Sequence, residues 1–128
     1  MIEPFDATEL AAVSVAFQEF ETRCDQILLL LSGKFSLTAS ERADVARLYQ
    51  KLKADLEKAA KYGTVSGTRS DQTCAEQYFY HRAAHRAYRA LRPATNTNPI
   101  LSDWYAAVSE ARAELSYWRS YAERAASR

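Results

Sequence analysis

The chain has 128 residues and a mass of 14.5 kDa, which is the size of one folded domain and argues against a multidomain enzyme. Hydrophobic residues make up 48% and charged residues 26%, a composition typical of a globular protein rather than a disordered one. Only three glycines are present, too few for the turns of an all-β sandwich or for a glycine-rich phosphate loop. The 17 basic and 16 acidic side chains give a net charge of +1, so any binding to nucleic acid must come from a local patch.

The N-terminal residues and the cysteines favour a cytoplasmic protein. Met1–Pro4 contain no basic region ahead of an apolar segment, as a secretory signal would. The longest apolar run, Ile27–Leu31, has five residues, whereas about 20 are needed to cross a bilayer. Cys24 and Cys74 have no CxxC partner and are too few for a secreted disulfide scaffold. We therefore expect two reduced thiols, no membrane association and a cytoplasmic location.

Two helices are predicted in the first half of the chain, over residues 6–32 and 38–62. Asp6 can cap the first helix and Gly33 can end it, while Thr38 and Glu41 form a candidate capping box for the second. Apolar residues recur at steps of three and four along both helices, which predicts one buried stripe on each. The stripes are Leu10, Val13, Phe17, Phe20, Cys24, Ile27 and Leu31 in the first helix, and Val45, Leu48, Tyr49, Leu52, Leu56 and Ala59 in the second. Leu28–Leu30 fall off the first stripe, so another segment or a partner must cover them.

Two more helices are predicted over residues 71–92 and 99–125, after a loop at 63–71 that is rich in turn residues. Pro93 ends the third helix, and Asn98 with Pro99 is a favourable opening for the fourth. The third helix has an alanine-rich face, and the fourth has an apolar stripe at steps of four and three. The predicted core positions are Phe79, Tyr80, Ala83, Ala84, Ala87, Ala90 and Leu91, followed by Trp104, Val108, Ala111, Leu115, Trp118 and Ala122.

These elements predict an all-α fold, a single-domain four-helix bundle over residues 1–128. It consists of two helical hairpins joined by the loop near residues 63–71, and the stripe spacing suits helices that cross at about 20°. An orthogonal four-helix array and a dimer that shares helices are the alternatives.

The charges are distributed unevenly along the chain. Residues 1–33 contain six acids against one arginine, whereas residues 77–98 contain four arginines and no acid. On a helical wheel, one tyrosine and the basic residues of the third helix form one row opposite the alanine-rich face. The row consists of Tyr78, Arg82, His85, Arg86, Arg89 and Arg92. Such a row can bind phosphate groups or an acidic protein. The alternative is that these arginines pair with acids of the first helix or point into water.

Tyrosine is the second unusual feature, with eight in the chain. Tyr117 and Tyr121 are one helical turn apart and lie away from the apolar stripe of the last helix, beside Arg119 in sequence. Tyrosine and arginine exposed together are enriched at binding hot spots. The alternative is that the last helix is buried on more than one side.

No constellation of catalytic residues is visible. His81 and His85 have an HxxxH spacing, but they are the only histidines and no acid lies between Gln77 and Asn98 to complete a metal site. Cys74 is about two helical turns from His81, too far for a nucleophile and base on one helix. We expect no metal, no cofactor and no enzymatic activity.

The sequence thus favours a non-catalytic helical interaction protein, an adaptor, inhibitor or assembly subunit, that binds a protein partner or a second copy of itself. The predicted contact residues are Tyr78, Arg82, Arg86, Arg89, Tyr117 and Tyr121. The alternative is a small helical subunit associated with nucleic acid, which would use the basic row from Arg82 to Arg92.

Overall fold

The computed structural model describes the backbone of residues 7–61, 75–91 and 100–126, and the side chains of residues 11–61, 80–91 and 100–124. This part of the chain contains four α-helices and no strand: α1 (Ala7–Leu31), α2 (Ala39–Lys61), α3 (Ala75–Leu91) and α4 (Leu101–Ala126). The prediction of an all-α four-helix bundle is confirmed. No helix among the described residues is both long enough and apolar enough to cross a membrane. The predicted loop at 63–71 and the predicted caps Asp6 and Asn98 lie outside the described residues.

The turn between α1 and α2 has the cap chemistry that the sequence predicts. Gly33 follows the end of α1 with a φ of +72°, in the left-handed region that glycine adopts without steric cost. Thr38 and Glu41 form a reciprocal capping box: the Thr38 amide donates to Glu41 Oε1 at 2.9 Å, and the Glu41 amide donates to Thr38 Oγ1 at 3.1 Å. Lys34 also forms an ion pair with Glu41. The start of α2 is therefore held by side chains on both sides of the turn.

The start of α4 uses a cap that the sequence analysis did not identify. The carboxylate of Asp103 accepts a hydrogen bond from the Ile100 amide at 3.0 Å, and the Asp103 amide donates to the Ile100 carbonyl at 3.0 Å. An acidic residue in the first turn also complements the positive end of the helix dipole. The helix consequently begins at Leu101, two residues after the predicted start.

The helices pack around one core in the ring order α1, α4, α3, α2. The contact of α1 with α4 is the largest in the bundle, and that of α1 with α2 is much smaller. Glu21 of α1 meets Arg119 of α4, and four residues later Asp25 meets Arg112. Residue numbers fall along α4 as they rise along α1, so these two helices are antiparallel.

The contacts between α2 and α3 follow the same rule. The Tyr49 hydroxyl donates to the Leu91 carbonyl, and at the other end of the pair His81 Nδ1 lies 2.7 Å from the Ala59 carbonyl oxygen. These two contacts make α2 and α3 antiparallel as well. Together with the short turn from α1 to α2, they give an up-down-up-down bundle.

The core is built from the predicted stripes. It includes the stripe positions from Val13 to Leu31 in α1, from Val45 to Ala59 in α2, and from Trp104 to Ala122 in α4, with the alanine-rich face of α3. Phe20, Leu48 and Trp118 are only partly buried and pack against its edge. The alanines of α3 lie between α2 and α4, where small side chains let neighbouring backbones approach closely. The side chains of Leu10 and Phe79 lie outside the described residues.

Charged side chains bridge the seam between α1 and α4. Arg119 binds Glu21 with two nitrogens, Nε at 2.5 Å from Oε2 and Nη2 at 3.2 Å from Oε1. Glu21 is only 4% exposed. Arg119 also reaches Glu123 at 3.1 Å, and Glu123 accepts a hydrogen bond from the Ser14 hydroxyl at 2.9 Å. The hydrogen bond to Glu21 raises the pKa of Arg119, and the bonds from Ser14 and Arg119 lower the pKa of Glu123.

Tyr49→Phe tests the hydrogen bond between α2 and α3. The ring is fully buried, and its hydroxyl satisfies a carbonyl in the last turn of α3, where no intrahelical partner is available. Removing the hydroxyl should lower the free energy of unfolding by about 1–2 kcal/mol in urea titrations. Tyr105→Phe, which removes an exposed hydroxyl, is the matched control and should change stability by less than about 0.5 kcal/mol. Equal stabilities of the two variants would contradict the assignment.

The two ion pairs of the α1–α4 seam should differ strongly in their contribution. Arg119→Met leaves Glu21 buried without its partner and should cost about 3 kcal/mol of unfolding free energy. Arg112→Met removes the more exposed pair with Asp25 and should cost less than about 1 kcal/mol. Replacing Glu21 by Met as well should recover part of the Arg119→Met loss, because no buried charge then remains. If thermal or urea unfolding showed the same loss of unfolding free energy for both arginine substitutions, burial would not explain a difference between the two ion pairs.

Candidate functional site

The arginine row of α3 is turned towards α4. Arg82, Arg86 and Arg89 are all exposed, and their spacing of four and three residues sets them along one side of the helix. Arg82 and Arg86 line a surface groove of about 560 Å³ whose other wall is α4. Arg89 lines a contiguous groove of about 290 Å³ between the same two helices. We call the two together the α3–α4 groove.

The opposite wall comes from one flank of α4. Glu110, Ala113, Glu114 and Tyr117 recur at three- and four-residue steps along this flank, with Trp118 at its inner edge. The other flank of the same helix carries Arg112 and Arg119, which face α1. The helical period therefore divides the polar residues of α4 between two neighbours, α1 on one side and α3 on the other.

Three aromatic side chains form a cluster at one end of the groove. Tyr117 meets Trp118 edge to face with ring centroids 5.5 Å apart, and Tyr121 is tilted against the same indole at 6.2 Å. Trp118 packs on the hydrophobic core, whereas Tyr117 is 58% and Tyr121 39% exposed. The Arg82 guanidinium lies 6.0 Å from the centroid of Trp118. Both predicted tyrosines are thus exposed and held by a ring that the core anchors.

The two walls of the groove carry opposite charges at the same level. Arg82 meets the indole of Trp118. Because α3 and α4 run antiparallel with the same rise per residue, Arg86, one turn further along α3, lies at the same height as Glu114 of α4. After a further turn, Arg89 is level with Glu110. Among the described residues, no ion pair is formed by any of these four side chains. The groove therefore has Arg86 and Arg89 on one wall and two carboxylates on the other, with no ion pair among the described residues, while Arg82 meets Trp118 at its end.

Glu21 and Asp25 of α1 pair with α4 and not with the arginine row. The sequence analysis offered pairing with the first helix as one alternative, but Glu21 and Asp25 bind Arg119 and Arg112 of α4 instead. For the same reason Arg119, which lies beside Tyr117 in sequence, is not part of the exposed cluster: it is turned to the opposite flank of α4. The acids that do face the arginine row are on α4.

Glu110 and Glu114 line the groove but are not among the contact residues predicted from the sequence. In the sequence, the only feature that points to these two residues is their position: they lie one turn apart and continue the helical face of Tyr117 towards the N-terminus. Recognising them as a wall of the groove requires knowing that this flank of α4 meets α3. Of the predicted contact residues, Tyr78 has a side chain outside the described part of the chain.

The two histidines have different surroundings. His81 is half-buried, and its Nδ1 contacts the Ala59 carbonyl in the last turn of α2, while its ring meets Tyr80 edge to face. His85 is exposed on the outer side of α3. Within the described side chains, no group of three or more histidine, cysteine, aspartate or glutamate residues is arranged to hold a metal ion.

Cys24 is a free thiol inside the core. It is fully buried, and this burial raises the pKa of the thiol to about 12, with a smaller contribution from the neighbouring carboxylate of Asp25. Because the thiolate is the nucleophilic form, Cys24 is a structural side chain rather than a reactive one. The other cysteine, Cys74, lies outside the described residues.

The three off-stripe leucines of α1 are covered to different extents. Leu28 and Leu30 are half-buried and pack against the core, so another segment of the chain covers them. Leu29 remains 77% exposed, and Phe35 in the following turn is fully exposed. Ile100 is also exposed. It lies at the same end of the bundle because α4 begins beside the end of its antiparallel neighbour α1. None of these side chains lines the α3–α4 groove.

Comparisons with protein families, with curated proteins and with solved structures find no match to this chain. Its function is therefore inferred from the side chains of the groove. A helical bundle supports many unrelated functions, so the fold alone does not distinguish among them.

The reactivity of Cys24 gives a direct test of the core. In a chain that carries Cys74→Ser, iodoacetamide should alkylate folded Cys24 at pH 9 at least about 100-fold more slowly than in urea-unfolded chain, because the buried thiol is neither ionised nor accessible. Mass spectrometry of the labelled protein over time measures both rates. Similar rates in the folded and unfolded chains would contradict the burial of this side chain.

Proposed function

We propose that the chain is a non-catalytic helical interaction protein, an adaptor, inhibitor or assembly subunit, that binds a protein partner through the α3–α4 groove. The observation that carries the proposal is the convergence of Arg82 and Arg86 from α3 with Tyr117 and Trp118 from α4. Tyrosine, tryptophan and arginine are the residue types that dominate the binding energy of protein interfaces. The sequence places them on separate helices, and packing brings them into one groove.

The aromatic cluster supports the proposal because it is rigid before binding. Tyr117 is 58% exposed, yet its ring rests against Trp118, which packs on the core. A side chain that is already held loses little conformational entropy when a partner covers it. Tyr117 is therefore the expected centre of the contact, with Tyr121 and Arg82 at its sides.

The charge pattern favours a protein over a nucleic acid. A phosphate backbone is uniformly negative, and in this groove it would meet Glu110 and Glu114 as well as the arginines. A protein surface can supply both signs of charge to match both walls. Binding of nucleic acid through the row from Arg82 to Arg92 stays the alternative proposal, supported by the exposure of Arg82, Arg86 and Arg89.

The proposal includes a cytoplasmic location and no cofactor. The free, buried thiol of Cys24 fits a reducing compartment, in which cysteines are kept out of disulfides. The groove is open, and its polar residues are arginines and glutamates, which suit the rim of a protein interface better than the enclosed apolar pocket of a small-molecule site.

Affinity capture with matched tyrosine variants tests the proposal. The wild-type chain, Tyr117→Ala and Tyr105→Ala are immobilised, and proteins bound from a nuclease-treated lysate of the native host are identified and then purified for direct titration. Tyr117→Ala should weaken binding of the partner at least about tenfold, whereas Tyr105→Ala removes an exposed tyrosine outside the groove and should leave it unchanged. A partner bound equally by all three chains would contradict the assignment of the groove.

The pair of substitutions Glu110→Gln and Glu114→Gln separates the two candidate functions. A nucleic acid would bind the variant more tightly, because two repulsive charges are removed from its path. A protein partner that pairs with these carboxylates would bind it more weakly. Titration of the purified partner and of a fluorescent single-stranded RNA, each with wild type and with the variant, measures the sign of the change.

A further inference from the structure

The two walls of the α3–α4 groove are complementary to each other. Arg86 and Arg89 stand on α3, Glu110 and Glu114 stand on α4, and in the described part of the chain none of the four forms an ion pair. A surface with one basic and one acidic wall, side by side, matches a copy of itself after a two-fold rotation. An interface of this kind is isologous, the usual form in homodimers.

We infer that a second copy of this chain occupies the α3–α4 groove, related to the first by a two-fold axis parallel to α3 and α4. The inference rests on the proposed function, because it names the partner that the groove binds. Rotation about this axis sets α3 of each copy on α4 of the other, so each basic wall meets an acidic wall. A two-fold axis across the helices would instead set α3 on α3 and bring arginines against arginines, which like-charge repulsion disfavours.

The register of the two helices fits this axis without any sliding. A rotation about an axis parallel to the helices keeps every residue at its own level along them. Arg86 is level with Glu114 within one chain, so in the pair it faces Glu114 of the second copy. Arg89 in the same way faces Glu110 of the second copy. Two ion pairs form on each side of the axis, four in all.

The aromatic cluster is placed to complete the contact. Arg82 lies over Trp118 within one chain, so in the pair it is level with the aromatic cluster of the second copy. Tyr117, which lines the same part of the groove, then lies level with Arg82 of the second copy. The aromatic contact thus lies near the middle of α3, and the ion pairs lie towards its C-terminal end.

The size of the face predicts a weak dimer. The 17 residues of α3 give a contact about 26 Å long, and two helices side by side are about 20 Å wide. Each copy then buries about 500 Å², less than the roughly 800 Å² per partner of a standard stable interface. Association is therefore expected at micromolar concentrations and should weaken as salt is added, because half of the contact is ionic.

Charge reversal in two separate variants tests the inference. The first variant, Arg86→Glu with Arg89→Glu, makes both walls acidic, and the second, Glu110→Arg with Glu114→Arg, makes both walls basic. Analytical ultracentrifugation up to about 300 μM should show a dimer for wild type and, for each variant alone, a dissociation constant raised more than about 100-fold. An equimolar mixture of the two variants should form a heterodimer, because each acidic wall then meets a basic one. A chain that carries all four substitutions should self-associate again.

A matched control excludes an effect of net charge. Arg47→Glu with Lys58→Glu changes the net charge as much as the first variant but at exposed sites on α2, and it should dimerise like wild type. Circular dichroism of each variant checks that the helices are retained, and the mixture restores binding without any further substitution. A wild-type chain that stays monomeric at about 300 μM, or a dimer that the reversed charges leave intact, overturns the inference. The proposed function is judged separately: a monomeric wild-type chain whose captured protein is lost with Tyr117→Ala would refute the second copy as the occupant and keep the groove as an interface.

Discussion

The rotation of α4 about its own axis is set by its buried stripe, from Trp104 to Ala122, together with the buried ion pair between Glu21 and Arg119. A carboxylate that is 4% exposed must keep its partner, because an unpaired charge at that depth costs several kcal/mol. Arg119 meets it with two nitrogens, which adds a directional contact on the flank of α4 that faces α1. Because the flank of α4 that carries Arg119 faces α1, the other flank, with Glu110, Glu114 and Tyr117, faces α3. The surface of the bundle is thus set in part by a contact on its opposite side.

The net charge of +1 conceals an ordered distribution of charge between the helices. Glu21 and Asp25 of α1 pair with arginines of α4, while Arg86 and Arg89 of α3 share a groove with Glu110 and Glu114 of α4. One helix therefore serves as the basic partner on one flank and as the acidic partner on the other. A count of charges by segment predicts an acidic first helix and a basic third helix correctly. It does not show that α4 lies between them and separates their charges.

The fold could be predicted almost entirely from local patterns. The steps of three and four from Val13 to Leu31 and from Trp104 to Ala122 identify the buried seams, and Gly33 and Thr38 mark a turn by their own chemistry. The site could be predicted only in part. Exposure of Arg82 and Tyr117 follows from the helical period, since both lie off the apolar stripes. Their meeting in one groove depends on the ring order of the helices and on the rotation of α4, which are properties of packing and not of any single segment.

Among the described residues, Arg86, Arg89, Glu110 and Glu114 form no ion pair, and they can stay so in a single chain because they are solvated. Exposed arginines and glutamates that face each other across water gain at most about 1 kcal/mol by pairing, so the bundle loses little by leaving them apart. Covering them changes this balance, because each charge then gives up its water and needs a partner of opposite sign. A uniformly charged occupant satisfies one wall and leaves the other desolvated and repelled. Under the proposed function, selectivity would therefore depend less on the strength of any one contact than on matching both signs of charge at once along two antiparallel helices.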